Sequence, residues 1–242
     1  MKSYEADEVA GAVSGYLAAG DAAGAFDELK PVLEQGTPFR LLDRIAAAVD
    51  QPPWSETSNL LNLIAADGSE GGWVLIGGFL RQAYVRRPST VMSECRRTII
   101  IADRWYGADI LGERVPGPAL VDDFAQALDS LAPWRGDGNR WVRRSVGVAV
   151  HFWAKRSRGD STLEGQAQKL LDFLEPMFEE WDMDAVKGVG WGLKTLGRTY
   201  PALLSDWLLA QRGRRHRQLM LRKAVTYLPD DQSQQIVEDY GQ

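Results

Sequence analysis

Trp105 and Asp109 stand four residues apart in a stretch that reads as one helix from Arg96 to Leu111. That spacing puts an indole and a carboxylate on one helical face, about 6 Å apart at Cβ. A carboxylate so placed can stabilise a cation that develops beside it, and its pKa rises if the indole keeps water away. The same pair also fits a bland description, an aspartate near a helix end that caps it or pairs with an arginine. Arg97 and Arg104 fall seven apart on an adjacent face of that helix.

A second constellation lies in the segment from Asp184 to Tyr200. Lys187, Trp191, Lys194 and Arg198 recur at i, i+4, i+7 and i+11, so three cations flank one indole. Val186, Val189, Leu193 and Leu196 make the opposite, apolar stripe that faces a core. Cations interleaved with an aromatic suit a surface that tracks phosphates and touches bases. A half-covered amphipathic ring on a packed helix looks the same. Arg143 and Arg144 follow Gly138-Asn139 into a helix over 141–156, whose apolar face is Val142, Val146, Ala149, Val150 and Trp153. Arg144, His151 and Lys155 share another side, where His151 is either a base or a structural residue. A late basic cluster, Arg212, Arg214, Arg215, Arg217, Arg222 and Lys223, surrounds His216 as a solvated or phosphate-facing patch.

The elements that must position these residues read as helix after helix, with strand-like alternation nearly absent. Breaks fall at turn signals such as Gly36-Thr37-Pro38, Val115-Pro116-Gly117-Pro118 and Tyr200-Pro201. Ser89, Asp160 or Ser161, and Asp184 are candidate N-caps. Three later segments, beginning at Trp141, Ala185 and Leu219, each place a cation before a small-residue apolar helix. With Arg144, Lys187 and Lys223 taken as equivalent, the spacings are 43 and 36 residues. Periods near this length, with two helices each, mark HEAT and armadillo repeats, whose helix pairs stack to bury their apolar faces. A glycine inside such a helix costs about 1 kcal/mol against alanine, and close approach of a neighbouring helix is the usual reason for one. The expected fold is therefore all-α, a HEAT-like or armadillo-type α-solenoid of antiparallel helix pairs with a concave basic groove. We expect one domain over 1–242, with residues 1–80 as acidic, degenerate N-terminal repeats and 81–242 as the repeats that carry the site.

Composition bounds the class. The chain has 242 residues, 45% hydrophobic and 25% charged, and one cysteine, Cys95, which excludes a disulfide scaffold and a cysteine zinc site. Two histidines, His151 and His216, argue against a histidine metal site. No apolar run reaches the roughly 18 residues of a membrane helix, and the first residues show no export signal. These features give the expectation of a cytoplasmic protein without metal or cofactor. The formal charge of −5 at first speaks against a polyanion partner, but it is unevenly distributed. Residues 1–80 hold four Lys/Arg and twelve Asp/Glu, residues 81–160 fourteen and nine, and residues 161–242 ten and twelve. The centre is basic, and a local basic stripe matters more to a polyanion than the global sum. Most of the nine tryptophans read as packing residues, with Trp105 and Trp191 the exceptions.

The run Ile101-Ala102-Asp103-Arg104-Trp105-Tyr106-Gly107-Ala108-Asp109-Ile110, the helix start Asn139-Arg140-Trp141-Val142-Arg143-Arg144, and the helix Lys187-Gly188-Val189-Gly190-Trp191-Gly192-Leu193-Lys194 together resemble the bacterial alkylpurine DNA glycosylases of the AlkD type. The resemblance spans residues 90–230 and is clearest at 139–145 and 185–201. It implies a HEAT-like solenoid that binds double-stranded alkylated DNA in a basic concave groove, as a monomer that acts at the nucleoid. It also implies catalytic roles for Asp109, Trp105 and Trp191, and DNA-backbone contacts from Arg144, with Arg143, Lys187, Lys194 and Arg198 along the groove. The implied reaction is release of purines made cationic by N3- or N7-alkylation, with the lesion kept largely in the duplex. Two alternatives remain open from the residues: a HEAT protein that binds DNA without excising bases, and a protein-interaction solenoid, the commonest use of the architecture.

Overall fold

A computed structural model describes residues 3–50 and 52–241, with side chains described over 5–50 and 52–240. Met1 and Lys2, part of the N-terminal stretch read for an export signal, lie outside the described residues. The described chain is helical with turns between the helices, and its contacts divide into two compact units, 1–115 and 116–242. The division falls at the Val115-Pro116-Gly117-Pro118 turn signal. The change from acidic to basic composition, by contrast, falls inside a helix.

The first unit contains α1 (Ser3–Ala18), α2 (Ala22–Glu34), α3 (Phe39–Ala48), α4 (Trp54–Asp67), α5 (Glu70–Tyr84), α6 (Pro88–Ala102) and α7 (Trp105–Arg114). Within it, α1, α3, α5 and α7 pack side by side in one layer, and α2, α4 and α6 form the second. The second unit contains α8 (Pro116–Asp122), α9 (Phe124–Leu131), α10 (Arg140–Ser157), α11 (Glu164–Leu174), α12 (Met183–Thr199), α13 (Pro201–Ala210), α14 (Gln218–Ala224) and α15 (Asp230–Gly241). There α8, α10, α12 and α14 make one layer, and α11, α13 and α15 the other. Alternating membership of two layers is the stacking of a helical solenoid, in which each pair buries its apolar face on the next.

In the second unit the interior follows the apolar stripes. Val142, Val146, Ala149 and Val150 of α10, and Val186, Val189, Leu193 and Leu196 of α12, are all fully buried. Glycines set the distance between these two helices. A Cβ on Gly147 would collide with the Gly188 carbonyl and the Val189 nitrogen, and one on Gly192 would come within 2.8 Å of the Gly147 carbonyl oxygen. Residue numbers rise together along the contact, 147 against 188 and 150 against 192, so α10 and α12 run parallel. On the far side of α12, Gly190 receives Lys223 and Gly197 receives Ala224 and Leu228.

Two helix starts differ from expectation. Ser89 does not cap α6; Pro88 occupies its first turn after Arg87, where proline's fixed φ suits a helix start. Asp182 caps α12 through the Asp184 and Ala185 amides, so Asp184 lies inside the helix. Asp160, one of the two candidates at its position, does cap, at the start of a short 3-10 turn, Ser161–Leu163, ahead of α11. Asn139 caps α10 through the Trp141 and Val142 amides.

Candidate functional site

The helix expected from Arg96 to Leu111 is two helices. Asp103 takes a left-handed conformation with φ of +40°, and Arg104 is extended with φ of −144° and ψ of +147°. Aspartate tolerates the left-handed region better than most residues, and here it ends α6 and restarts the chain as α7. Arg97 therefore belongs to α6, where it pairs with Glu94 and donates to the Asn62 side chain at 2.6 Å. It shares no face with Arg104.

Trp105 and Asp109 stay on one helix, the first turns of α7. Gly107, Ala108, Ile110 and Leu111 are buried and hold α7 down, while Trp105 is 56% exposed and Asp109 half-buried. The Trp105 ring meets Tyr106 edge-on at 5.8 Å. The indole thus lies on the outer side of its helix, four residues before a carboxylate, in the first unit.

In the second unit α12 presents Lys187, Trp191, Lys194 and Arg198 on the side away from its buried stripe. Lys187 and Arg198 are exposed, and Trp191 and Lys194 half-buried. His151 of α10 lies flat against Trp191, ring centroids 3.9 Å apart at 24°. The Thr195 hydroxyl donates to the Trp191 carbonyl at 3.0 Å, so its oxygen accepts from His151 Nδ1 at 2.7 Å. Burial, then the charges of Lys155 and Arg198, lower the His151 pKa to about 4, so the imidazole is neutral near pH 7. His151 is accordingly the floor on which the indole rests, and its Nδ1 hydrogen is committed to Thr195.

The cations divide in their roles. Arg143 is tied to Glu180 at 2.6 Å and to the Asp137 carbonyl at 2.7 Å, contacts that brace the start of α10 against the segment before α12. Arg144 is 7% exposed; its stem packs on Gly188 and its Nη1 donates to the Asp184 carbonyl at 3.1 Å. Lys187 lies 3.5 Å from Asp184. Lys194 and Arg198 both lie over the ring of Tyr227, at 4.7 and 3.9 Å from its centroid.

Three of these cations, Arg144, Lys187 and Lys194, act together on Lys223 of α14. Its stem seats on Gly190, where a Cβ would come within 2.7 Å of the Lys223 Cδ. Burial, followed by the charges of Lys194, Arg144, Lys187 and Arg222, lowers its pKa. The three cations matched by the repeat spacing, Arg144, Lys187 and Lys223, therefore share one electrostatic neighbourhood across α10, α12 and α14. The late basic run groups Lys223 with His216 as well. That histidine is instead packed against Phe178 and Tyr240, with Nδ1 3.1 Å from the Arg214 carbonyl. The repeat register was the signal that pointed to Lys223. Tyr227 carried none.

Among the described residues there is no group of three or more His, Cys, Asp or Glu side chains arranged to hold a metal ion, and no helix long and apolar enough to cross a membrane.

Comparison with known proteins places the chain. The model of a family described as DNA alkylation repair enzyme matches residues 73–228, and the chain belongs to that family. Among solved structures, the fold is similar to that of the Pseudomonas fluorescens alkylpurine DNA glycosylase AlkC bound to DNA containing an abasic site analog. The TM-score is 0.57 and the identity 16%, over 96% of this chain and 66% of that one, so this chain spans just under two thirds of the other's length. No curated protein matches the chain.

Proposed function

We propose that the chain is a monofunctional DNA glycosylase that hydrolyses the N-glycosidic bond of cationic N3- or N7-alkylated purines in double-stranded DNA. The observation that carries the reading is the gathering of Arg144, Lys187, Lys194 and Arg222 around half-buried Lys223, on the side of α12 that also carries Trp191. Each of these four charges opposes that of Lys223, and a polyanionic backbone relieves that repulsion. Membership of the alkylation repair family supplies the reaction class, and the likeness to AlkC is compatible with it.

Alkylation leaves a positive charge on the purine, so the base departs neutral with the electron pair of the broken C1′–N bond and needs no acid to protonate it. The sugar left behind resembles an oxocarbenium ion. In this reading the Asp109 carboxylate stabilises that cation and orients the water whose oxygen bonds C1′, with one proton released to solvent. Trp105 and Trp191 offer indole faces to the cation, each worth roughly 0.5–2 kcal/mol. Lys187, Lys194, Arg198, Arg144 and Lys223 serve the backbone, and Arg143 contributes through the ion pair that braces α10. The reading takes 1–242 as one continuous solenoid working as a monomer, of the type first suggested by the AlkD-like motifs.

The test is release of 7-methylguanine or 3-methyladenine from methylated duplex DNA by wild type and Asp109→Asn side by side. Removing the charge should lower the rate by about a hundredfold or more while duplex affinity holds. Equal rates would move the role to another residue. Salt-dependent duplex binding with no base release by wild type would identify a non-excising DNA-binding solenoid. Absence of DNA affinity at low salt would favour a protein-interaction solenoid.

A further inference from the structure

Trp181 stands immediately before the capping residue of α12 and is 43% exposed. Trp105 is the other exposed tryptophan, and the remaining seven are buried or half-buried. Two arginines from the segment between α13 and α14 lie over its ring, with the guanidinium carbon of Arg215 4.0 Å and that of Arg217 3.7 Å from the centroid. Arg217 Nε also donates to the Trp181 carbonyl at 3.2 Å, which ties the segment to residue 181.

The neighbouring arginines of the same segment are engaged differently. Arg212 pairs with Asp239 at 3.3 Å, and Arg214 with Glu175 at 3.0 Å and Glu179 at 2.7 Å. Among the described residues no carboxylate pairs with Arg215 or Arg217. One segment thus carries four arginines, of which two are neutralised by the fold and two rest on an indole with their charges unmatched. An exposed cation–π contact contributes only about 0.5–1 kcal/mol to the fold. Its larger effect is on binding. A free arginine loses up to about 2 kcal/mol of rotamer entropy when fixed, and a side chain already resting on a ring has lost part of that before any ligand arrives. The planar fork of a guanidinium matches the two oxygens of a phosphate.

We propose that Trp181, Arg215 and Arg217 form a phosphate-contact site for the DNA backbone, additional to the cations around Lys223. Lys187 begins the exposed stripe of α12 six residues beyond Trp181, so the site lies just ahead of that stripe along the chain. The inference rests on the reading of the second unit as DNA-binding and is independent of base excision.

The experiment is equilibrium binding of the full chain to a labelled, undamaged duplex over a series of salt concentrations. Each phosphate contact contributes about 0.9 to the slope of log K against log salt. Arg215→Gln with Arg217→Gln should make that slope shallower by about 1–2, read at a temperature where the variant is folded. Arg215→Gln alone, which removes no hydrogen bond of the fold, should account for about one unit of it. Arg212→Ala takes the same charge from the same segment but from an arginine already paired, and its slope should match wild type. A wild-type slope in the Arg215/Arg217 double variant would overturn the proposal. So would an equal loss in Arg212→Ala, since net charge alone would then explain it. A wild type that binds duplex but releases no base fails the glycosylase reading and leaves this site standing; one that excises bases while the double variant binds unchanged does the reverse.

Discussion

At the scale of single residues, the support beneath Trp191 is the most testable arrangement. His151 contributes a flat ring and one hydrogen bond, and it does so as a neutral group. Its folded-state pKa of about 4 lies below the ordinary 6.5, so between those values the unfolded chain takes up a proton that the folded chain refuses. Stability is therefore lost as pH falls through that window. The lowered carboxyls of Asp7 and Asp160 act in a separate range, beneath their ordinary 3.8. His151→Phe keeps a flat ring and abolishes the titration, so its melting temperature should change less than wild type's between pH 6.5 and about 4. His151→Ala removes the ring itself; a loosened indole should reduce base release by up to about a hundredfold, as small misplacements do, with duplex affinity little changed. Equal loss in the Phe and Ala variants would mean that stacking is not what His151 provides. Sequence could place His151 on a face with Arg144, but the contact with Trp191 joins residues 40 apart and depends on the spacing of two helices. The stripe of α12 itself was legible because its period lies within one helix.

At the scale of elements, the contact between α10 and α12 governs where those side chains sit. Gly147 opposes the Gly188 backbone so closely that a methyl group has no place there, whereas Gly165, in the first turn of α11, has open space around its would-be Cβ. The same substitution should therefore act with opposite signs. Gly147→Ala should force the helices apart and destabilise by about 1–3 kcal/mol or more. Gly165→Ala should stabilise by up to about 1 kcal/mol. Chemical denaturation of both variants checks the pair, and stabilisation of similar size in both would show that helix propensity, not helix separation, decides the effect. The glycines inside α10 and α12 were readable as signs of close approach before the partner was known. The break between α6 and α7 was not, since a single aspartate in a left-handed conformation leaves no periodic mark and the apolar residues of Arg96–Leu111 continue across it.

At the scale of the whole molecule, a net charge of −5 coexists with a cluster of cations that the fold assembles at a cost. The charge partition along the chain located the basic centre. It could not show that Lys223, from the mildly acidic last third, joins Arg144 from the middle, because that junction exists only once α12 packs between α10 and α14. Lys223 is half-buried with its pKa lowered, first by burial and then by Lys194, Arg144, Lys187 and Arg222. The folded state thus holds the Lys223 proton less tightly than the unfolded chain does. Keeping the amine charged therefore destabilises the unliganded protein at neutral pH, and the penalty fades as pH rises toward the ordinary lysine value. Lys223→Met retains the stem that packs on Gly190 and deletes the charge. Its melting temperature without ligand should exceed wild type's at pH 7. A ligand that binds the folded state raises the melting temperature by mass action, and undamaged duplex DNA should do so less for Lys223→Met, with a salt slope shallower by about 1. A core lysine kept only for packing would give the first change without the second, and a surface lysine on DNA the second without the first. Only a cation that the fold holds under strain for an anion gives both, which makes the paired measurement a test of why this acidic chain gathers five positive charges in one place.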